Sequence, residues 1–144
     1  MSARRQGRAY ALQVLYALDV TEAMAEQPAG LALETISPAF DLSVAGEAEN
    51  LASSLVTETA RRCSEIDDII QSASRNWRMA RMSRVDRNIL RLAVCELLWA
   101  PETPPGVIIN EAVELAKRFG TEDSPAFVNG ILDRVAQRIR KGIE

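Results

Sequence analysis

Arginine is the residue type whose number and spacing in this chain point most directly to chemistry. A series of six between residues 75 and 91 faces one acid, Asp86, which gives that stretch a net charge of +5. Its members are Arg75, Arg78, Arg81, Arg84, Arg87 and Arg91. Arg4, Arg5 and Arg8 stand near the N-terminus with no acid among the first eight residues. Guanidinium groups bind phosphate through charge and paired hydrogen bonds, so both clusters are candidate phosphate-binding surfaces.

The overall charge of −3 conceals this segregation, because residues 21–74 carry ten acids against two arginines. Local potential, rather than net charge, attracts a polyanion such as nucleic acid. The 75–91 arginines could therefore extend a nucleic-acid surface, or pair with the acids of their own chain, or simply form a solvated face. The sequence leaves these alternatives open.

Residues that carry catalysis or hold metals are scarce. The chain has no histidine, which removes the commonest general base and metal ligand. Cys63 and Cys95 lie 32 positions apart without metal-ligand spacing and read as reduced core thiols. The acids at 65, 67 and 68 are not accompanied by the loop glycine of a calcium site, and their spacing fits a solvent-exposed helix face. We expect a binding protein, not an enzyme, without cofactor or metal.

Helices must position these side chains, because every long segment has helical periodicity and strand-type alternation is absent. The pattern predicts an all-α fold with Ser83 as an N-cap, Asp86 as the acid of a capping box and Ser124 capping the last helix. Gly120 is predicted as a left-handed C-cap, and Pro104-Pro105-Gly106 as a turn. The predicted helices cover residues 4–20, 30–36, 46–63, 65–74, 84–100, 107–119 and 124–140.

The helix beginning at residue 84 is apolar nearly all round, which predicts a central position in the fold. Glu96 interrupts its apolar stripe, so we expect a buried, hydrogen-bonded carboxylate. In the first helix, Arg4 and Arg8 share a face with core leucines. Because unpaired arginines are almost never buried, we expect the first two turns to project beyond the core or fray. That would place Arg4, Arg5 and Arg8 in solvent, as a phosphate-binding arm or as a solubilising terminus.

Phe127 lies at the edge of the last helix's apolar stripe, about 80° from its centre at the helical period. A half-exposed aromatic near a helix start can stack on an unpaired base. The alternative is a phenylalanine at the periphery of the core.

One long stretch carries a family resemblance: RLAVCELLWAPETPPGVIINEAVELAKRFGTEDSPAFVNGILDRVA, residues 91–136. It resembles the C-terminal signature of the NusB family, and the basic first helix is similar too, whereas residues 21–80 are the weakest part. The resemblance implies an all-helical, non-enzymatic, bacterial protein. Its two small bundles, about residues 1–75 and 80–144, would pack into one compact domain spanning 1–144.

The resemblance also implies a function. Family members bind the boxA element of nascent single-stranded RNA, notably in ribosomal RNA operons, together with ribosomal protein NusE. The complex joins RNA polymerase and suppresses termination. Carried over by position, Arg4, Arg5 and Arg8 would form the main RNA arm. Asp123 and Phe127 would lie at or near RNA, and Asp86 at the NusE interface, where the family usually has Glu.

Two alternatives belong to other classes. One is a helical protein–protein adaptor whose arginines contact no RNA, and the other is the RNA-binding accessory domain of a ribosomal RNA methyltransferase. The basic N-terminus lacks an apolar signal core, and no run of residues is long and apolar enough to span a bilayer. We therefore expect a cytoplasmic protein without membrane contact, either a monomer or a homodimer.

Overall fold

A computed structural model describes residues 2–22, 24 and 46–140, and within this part of the chain the regular structure is entirely helical. The predicted all-α class is confirmed. The helix predicted at 30–36 lies outside the described residues. The helices are α1 Ala3–Val20, α2 Glu47–Arg61, α3 Cys63–Ala73, α4 Arg84–Trp99, α5 Pro105–Phe119 and α6 Ser124–Arg140, with a 3-10 turn at Met79–Arg81.

The chain groups into two compact units that divide between Cys63 and Ser64. The predicted boundary at residues 75–80 lies later in the chain, within the second unit. That boundary, and the packing of two bundles into one domain, stay predictions.

In the first unit, α1 packs against α2. Gly7 allows the close approach, since a Cβ at this position would lie 2.9 Å from the carbonyl oxygen of Ala48 and 3.2 Å from Leu51 Cδ2. The buried side of α1 includes Leu12, Val14 and Leu15, at the three- and four-residue spacing expected of a core-facing helix. A small residue in α1 thus sets how tightly this unit packs.

In the second unit, α4 contacts both α5 and α6, and α5 contacts α6. An unbroken run of α4, from Asn88 to Glu96, is buried. This confirms the central position predicted from a helix that is apolar nearly all round. Its polar members therefore need partners within the protein.

At the start of α4 the predicted N-cap is confirmed, but the predicted capping box was wrong. Ser83 is the N-cap, and its hydroxyl accepts a hydrogen bond of 3.1 Å from the Asp86 amide. Oδ1 of Asp86 is buried without any hydrogen-bond partner in the described protein, so this oxygen does not complete a capping box.

The predicted start of α5 was wrong, and its predicted end at Phe119 is confirmed, although the conformation predicted for Gly120 was wrong. Its first turn begins at Pro105, two residues before the predicted start, because proline fits the first helical position without losing a needed donor. Gly120 is extended, with φ −96° and ψ −165°, and is not the left-handed cap that we predicted. A glycine is needed there because a Cβ would lie 2.5 Å from Ser124 Oγ.

The last helix begins at Ser124 itself, so Asp123, not Ser124, precedes it. The carbonyl of Asp123 accepts a hydrogen bond of 3.2 Å from the Phe127 amide. The Ser124 hydroxyl instead accepts from the Thr121 amide at 2.9 Å and closes the turn before the helix. Among the described residues, no helix has the length and apolar character needed to cross a membrane.

Candidate nucleic-acid interface

The basic start of α1 is helical from Ala3, and its first turn is capped because the Ser2 hydroxyl accepts from the Arg5 amide at 3.1 Å. Arg4 is exposed and Arg5 is half-buried. Arg8 is only 4% exposed and has an interaction partner. The expectation that all three guanidinium groups lie in solvent was therefore wrong for Arg8, because a partner allows an arginine to be buried.

The structure separates the arginines of the 75–91 series by their contacts. Arg91 is 8% exposed and forms a bidentate ion pair with Asp67, Nε to Oδ1 at 2.8 Å and Nη2 to Oδ2 at 2.9 Å. Nη1 of Arg91 also donates to Asn88 Oδ1 at 3.1 Å. Arg87 donates to the Met79 carbonyl at 3.2 Å. For Arg91 the alternative of pairing with an acid of its own chain is therefore the correct one.

Other members of the series face solvent. Arg75, Arg78, Arg81 and Arg84 are exposed. Arg75 differs from the other three because it lines a cleft of about 430 Å³ in the second unit. One wall of the cleft is the end of α3 with the turn that follows it, and the other is the part of α6 from Phe127 to Arg134.

This cleft combines aromatic and cationic side chains. Trp77 lies on the turn beside Arg75, and α6 contributes Phe127, Ile131 and Arg134. The three α6 residues recur every three to four positions and so share one face of the helix. Ile131 is 1% exposed, whereas Phe127 is half-buried, as its position at the edge of the stripe predicted. The cleft thus has an apolar floor and a cationic rim.

Hydrogen bonds from α3 fix the turn that carries Trp77. The Trp77 carbonyl accepts from Ser74 Oγ at 2.8 Å and from Gln71 Nε2 at 3.1 Å. Gln71 Nε2 also donates to the Ser74 carbonyl at 3.1 Å, and its Oε1 accepts from the Met79 amide at 2.9 Å. Since these bonds use backbone groups of residues 74, 77 and 79, the indole itself remains available for contact.

Trp77, like Arg134, is a cleft residue that the sequence reasoning missed. A signal was present, because a tryptophan in a polar turn between Arg75 and Arg78 interleaves an aromatic with basic residues. Surfaces that bind single-stranded nucleic acid usually combine stacking aromatic side chains with basic ones. The helical pattern hid this signal, since it drew attention only to aromatics within helices.

Two other predicted site residues lie elsewhere in the second unit. Asp123 is exposed just before α6 and one turn from Phe127. Asp86 is partly exposed in the first turn of α4. Among the described residues, no group of three or more His, Cys, Asp or Glu side chains could hold a metal ion, and neither cysteine forms a disulfide.

Comparison with known proteins places this geometry in a family. The sequence model of the NusB family matches residues 5–137. Transcription antitermination protein NusB of Geobacter sp. strain M21 is 46% identical, with 96% of this chain and 97% of that protein covered. The same-named protein of Myxococcus xanthus strain DK1622 is 48% identical, with 98% and 99% covered. The chain belongs to the NusB family.

A solved NusB structure also resembles this fold. The crystal structure of antitermination factors NusB and NusE in complex with double-stranded RNA contains a chain of 31% identity. It superposes with a TM-score of 0.81 over 95% of the present chain and 98% of that chain. The resemblance recognised in residues 91–136 is therefore confirmed over almost the full length, together with the NusB-like all-α fold.

Membership of the NusB family favours an antitermination factor among the classes of function left open above. NusB proteins are non-enzymatic antitermination factors, which confirms that the chain is not an enzyme. The methyltransferase alternative has no support from the Geobacter and Myxococcus relatives, because both are named transcription antitermination protein NusB.

Proposed function

We propose that this NusB-family protein binds boxA-type single-stranded RNA together with ribosomal protein NusE, within an antitermination complex on RNA polymerase in the cytoplasm. The observation that carries the proposal is the fold match to a NusB chain solved with NusE and RNA. That match extends over 95% of the present chain and 98% of that chain, which supports a shared mode of binding.

The RNA contacts proposed for α1 belong to Arg4 and Arg5. Both stand in the first turn, where Arg4 is exposed and Arg5 half-buried. Arg8 was part of the same prediction, but contact with phosphate would require its buried side chain to leave its present partner. We assign Arg8 a supporting role beneath this turn. In the second unit, the proposed contacts are Phe127, through its ring, and Asp123.

For Asp86 we propose the NusE contact implied by the family. What supports it is that Asp86 is partly exposed in the first turn of α4, where a partner can reach its side chain. Asp86→Ala should weaken NusE binding, whereas Asp86→Glu, which restores the acid usual in the family, should retain it. Equal affinity of the wild type and the Ala variant for NusE would remove Asp86 from the interface.

The test of the whole proposal is binding of the full chain to boxA RNA, with and without NusE, across a series of salt concentrations. Phosphate contacts make affinity fall steeply with salt, by about 0.7 in log–log slope per single-strand phosphate. NusE should raise the affinity for RNA. If the protein binds NusE but shows no RNA affinity alone or with NusE, it is a protein–protein adaptor instead.

Phe127 offers a sharper test of the aromatic contact. Phe127→Leu removes the flat ring, so RNA affinity should fall while thermal stability changes little. Phe127→Tyr keeps the ring and should preserve binding. A Leu variant with lower stability and unchanged RNA affinity would show that Phe127 is only a peripheral core residue.

A further inference from the structure

We infer that the cleft between Trp77 and Phe127 receives one unpaired RNA base, stacked on the Trp77 indole, with the adjoining phosphates held by Arg75 and Arg134. This inference rests on the proposed RNA-binding function and adds to it a stacking residue and two phosphate ligands. It concerns the second unit alone, whose described residues contain all four side chains.

The exposure of Trp77 is the first argument. Its side chain is 52% exposed, the largest value among the exposed large apolar residues described. An indole is the largest apolar side chain, and leaving half of it in water forfeits much of the stabilisation that burial would give. A partly exposed Phe127 opposes it in the same cleft. Two aromatic rings at one concave site are an arrangement that suits a flat ligand.

The positive charge of the cleft indicates that its ligand carries anionic groups. Arg75 and Arg134 are both exposed and line the cleft from opposite walls. Neither guanidinium takes part in a hydrogen bond or ion pair with another residue that the structure describes. Among the residues that the structure describes, none of those lining the cleft carries a carboxylate that could neutralise them. A flat group joined to anions fits this combination, and a nucleotide within a single strand has both features.

The volume limits what can enter. A cleft of about 430 Å³ lies within the range of roughly 300–1,000 Å³ typical of small-ligand sites. It has room for a single base with its sugar. We take that base to be unpaired and turned out of its stack, as in other single-stranded RNA sites.

The turn is already built for this role. Gln71 and Ser74 hold the carbonyl of Trp77 by two hydrogen bonds of 3.1 and 2.8 Å, and Gln71 also donates to the Ser74 carbonyl at 3.1 Å. A ring presented by a fixed turn loses little conformational freedom on binding, so more of the stacking energy appears as affinity. These contacts do not involve the indole, so a substitution of Trp77 leaves them in place.

The first experiment uses affinity. With the full chain, NusE and boxA RNA, Trp77→Ala should weaken RNA binding roughly 5- to 150-fold, the equivalent of about 1–3 kcal/mol for one stacked base. Trp77→Phe should restore most of the affinity because a ring is retained. Arg75→Ala and Arg134→Ala should each reduce the salt slope by up to about 0.7. Arg81→Ala is the matched control, since Arg81 is exposed but lies outside the cleft, and should leave both quantities unchanged.

The second experiment observes the stack directly. The chain has two tryptophans, Trp77 and Trp99, so Trp99→Phe leaves Trp77 as the single indole reporter. Adding boxA RNA should quench its fluorescence, and an abasic site at one position of the RNA should abolish the quenching and weaken binding about as much as Trp77→Ala does. Fully duplex RNA of the same sequence should not quench it.

The outcomes separate this inference from the function on which it rests. If wild-type protein binds boxA RNA with NusE but Trp77→Ala binds equally well, the inference is overturned and the proposed function stands. If NusE alone quenches Trp77 and RNA adds nothing, the cleft takes a protein partner and the inference is again overturned. If the wild type binds no RNA, the proposed function fails first.

Discussion

Arg8 and Glu96 are charged residues on helix faces, and both are almost completely buried, with exposed fractions of 4% and 3%. For Glu96 we reasoned that a carboxylate in an apolar stripe must have donors, and its burial is confirmed. For Arg8 we reasoned that an unpaired arginine must leave the core, which was wrong because Arg8 has a partner. Helical periodicity placed both side chains on the correct face. It could not show whether another part of the chain supplies a partner.

The burial of Glu96 leads to a stability prediction. Glu96 has an interaction partner within the protein, so Glu96→Ala should leave a buried polar group without its partner. We expect a loss of about 1–3 kcal/mol in the free energy of unfolding, measured by urea denaturation. Glu114→Ala is the control, because Glu114 is partly exposed and pairs only locally with Lys117 at 3.0 Å. Its effect should stay below about 0.5 kcal/mol, and an equal effect of both substitutions would contradict a structural role for Glu96.

At the scale of the helix, the sequence determined which segments are helical far better than how they end. The ranges predicted for α1 and α4 differ from the observed ones by one residue at an end. Gly120 was assigned a left-handed conformation because helices often end that way, but the side chain of Ser124 demands the small residue there. Ser124 lies beyond α5, at the turn that leads into the next helix. The sequence pattern within α5 therefore could not indicate this steric requirement.

Gly7 and Gly130 form a matched pair for testing close packing between helices. A Cβ on Gly7 would lie 2.9 Å from the Ala48 carbonyl oxygen, whereas nothing lies within 4 Å of a Cβ on Gly130. Gly7→Ala should therefore destabilise the protein by about 1–3 kcal/mol, because α1 and α2 must separate. Gly130→Ala, in the interior of α6, should stabilise it by about 0.4–1 kcal/mol. Thermal unfolding of both variants checks this, and a neutral Gly7→Ala would show that the two helices can separate at no cost.

The ion pair between Asp67 and Arg91 joins α3 to α4. The side chain of Arg91 is 10% exposed and that of Asp67 30%, so the arginine is the more costly partner to leave alone. Asp67→Ala should cost about 2–4 kcal/mol, while the double variant Asp67→Ala, Arg91→Met should recover part of that loss. Urea unfolding of the two single variants and the double variant gives the coupling energy. Additive effects would show that the bidentate geometry contributes nothing to the joining of these helices.

For the molecule as a whole, the net charge of −3 is a poor guide to what it binds. Two of the arginines that make residues 75–91 basic have partners within the protein. Arg91 forms an ion pair with Asp67, and Arg87 donates to a backbone carbonyl. Arg4, Arg75 and Arg134 instead remain exposed. The charge pattern therefore predicted that a phosphate-binding surface exists, but the residues that form it depend on which arginines the fold uses internally.

The salt dependence of RNA affinity tests this division of the arginines. Arg4→Ala with Arg5→Ala should reduce the log–log salt slope by up to about 1.4, at about 0.7 per single-strand phosphate, and Arg75→Ala with Arg134→Ala should do the same. Neither pair lies in the buried core, so the unfolding free energy should change little. Additive losses from the two pairs would mean that the RNA contacts both surfaces at once.

Arg61 and Arg62 provide the control for charge alone. Both form ion pairs with Glu58, at 2.9 Å each, and their hydrogen bonds hold the pKa of that carboxyl below its usual value. The double variant Arg61→Ala, Arg62→Ala also removes two positive charges from the protein, but it leaves the proposed RNA surfaces intact. The slope should then stay at the wild-type value. If this control reduces the slope as much as the loss of Arg4 and Arg5, RNA is responding to total charge, and the assignment of particular arginines to phosphates is wrong.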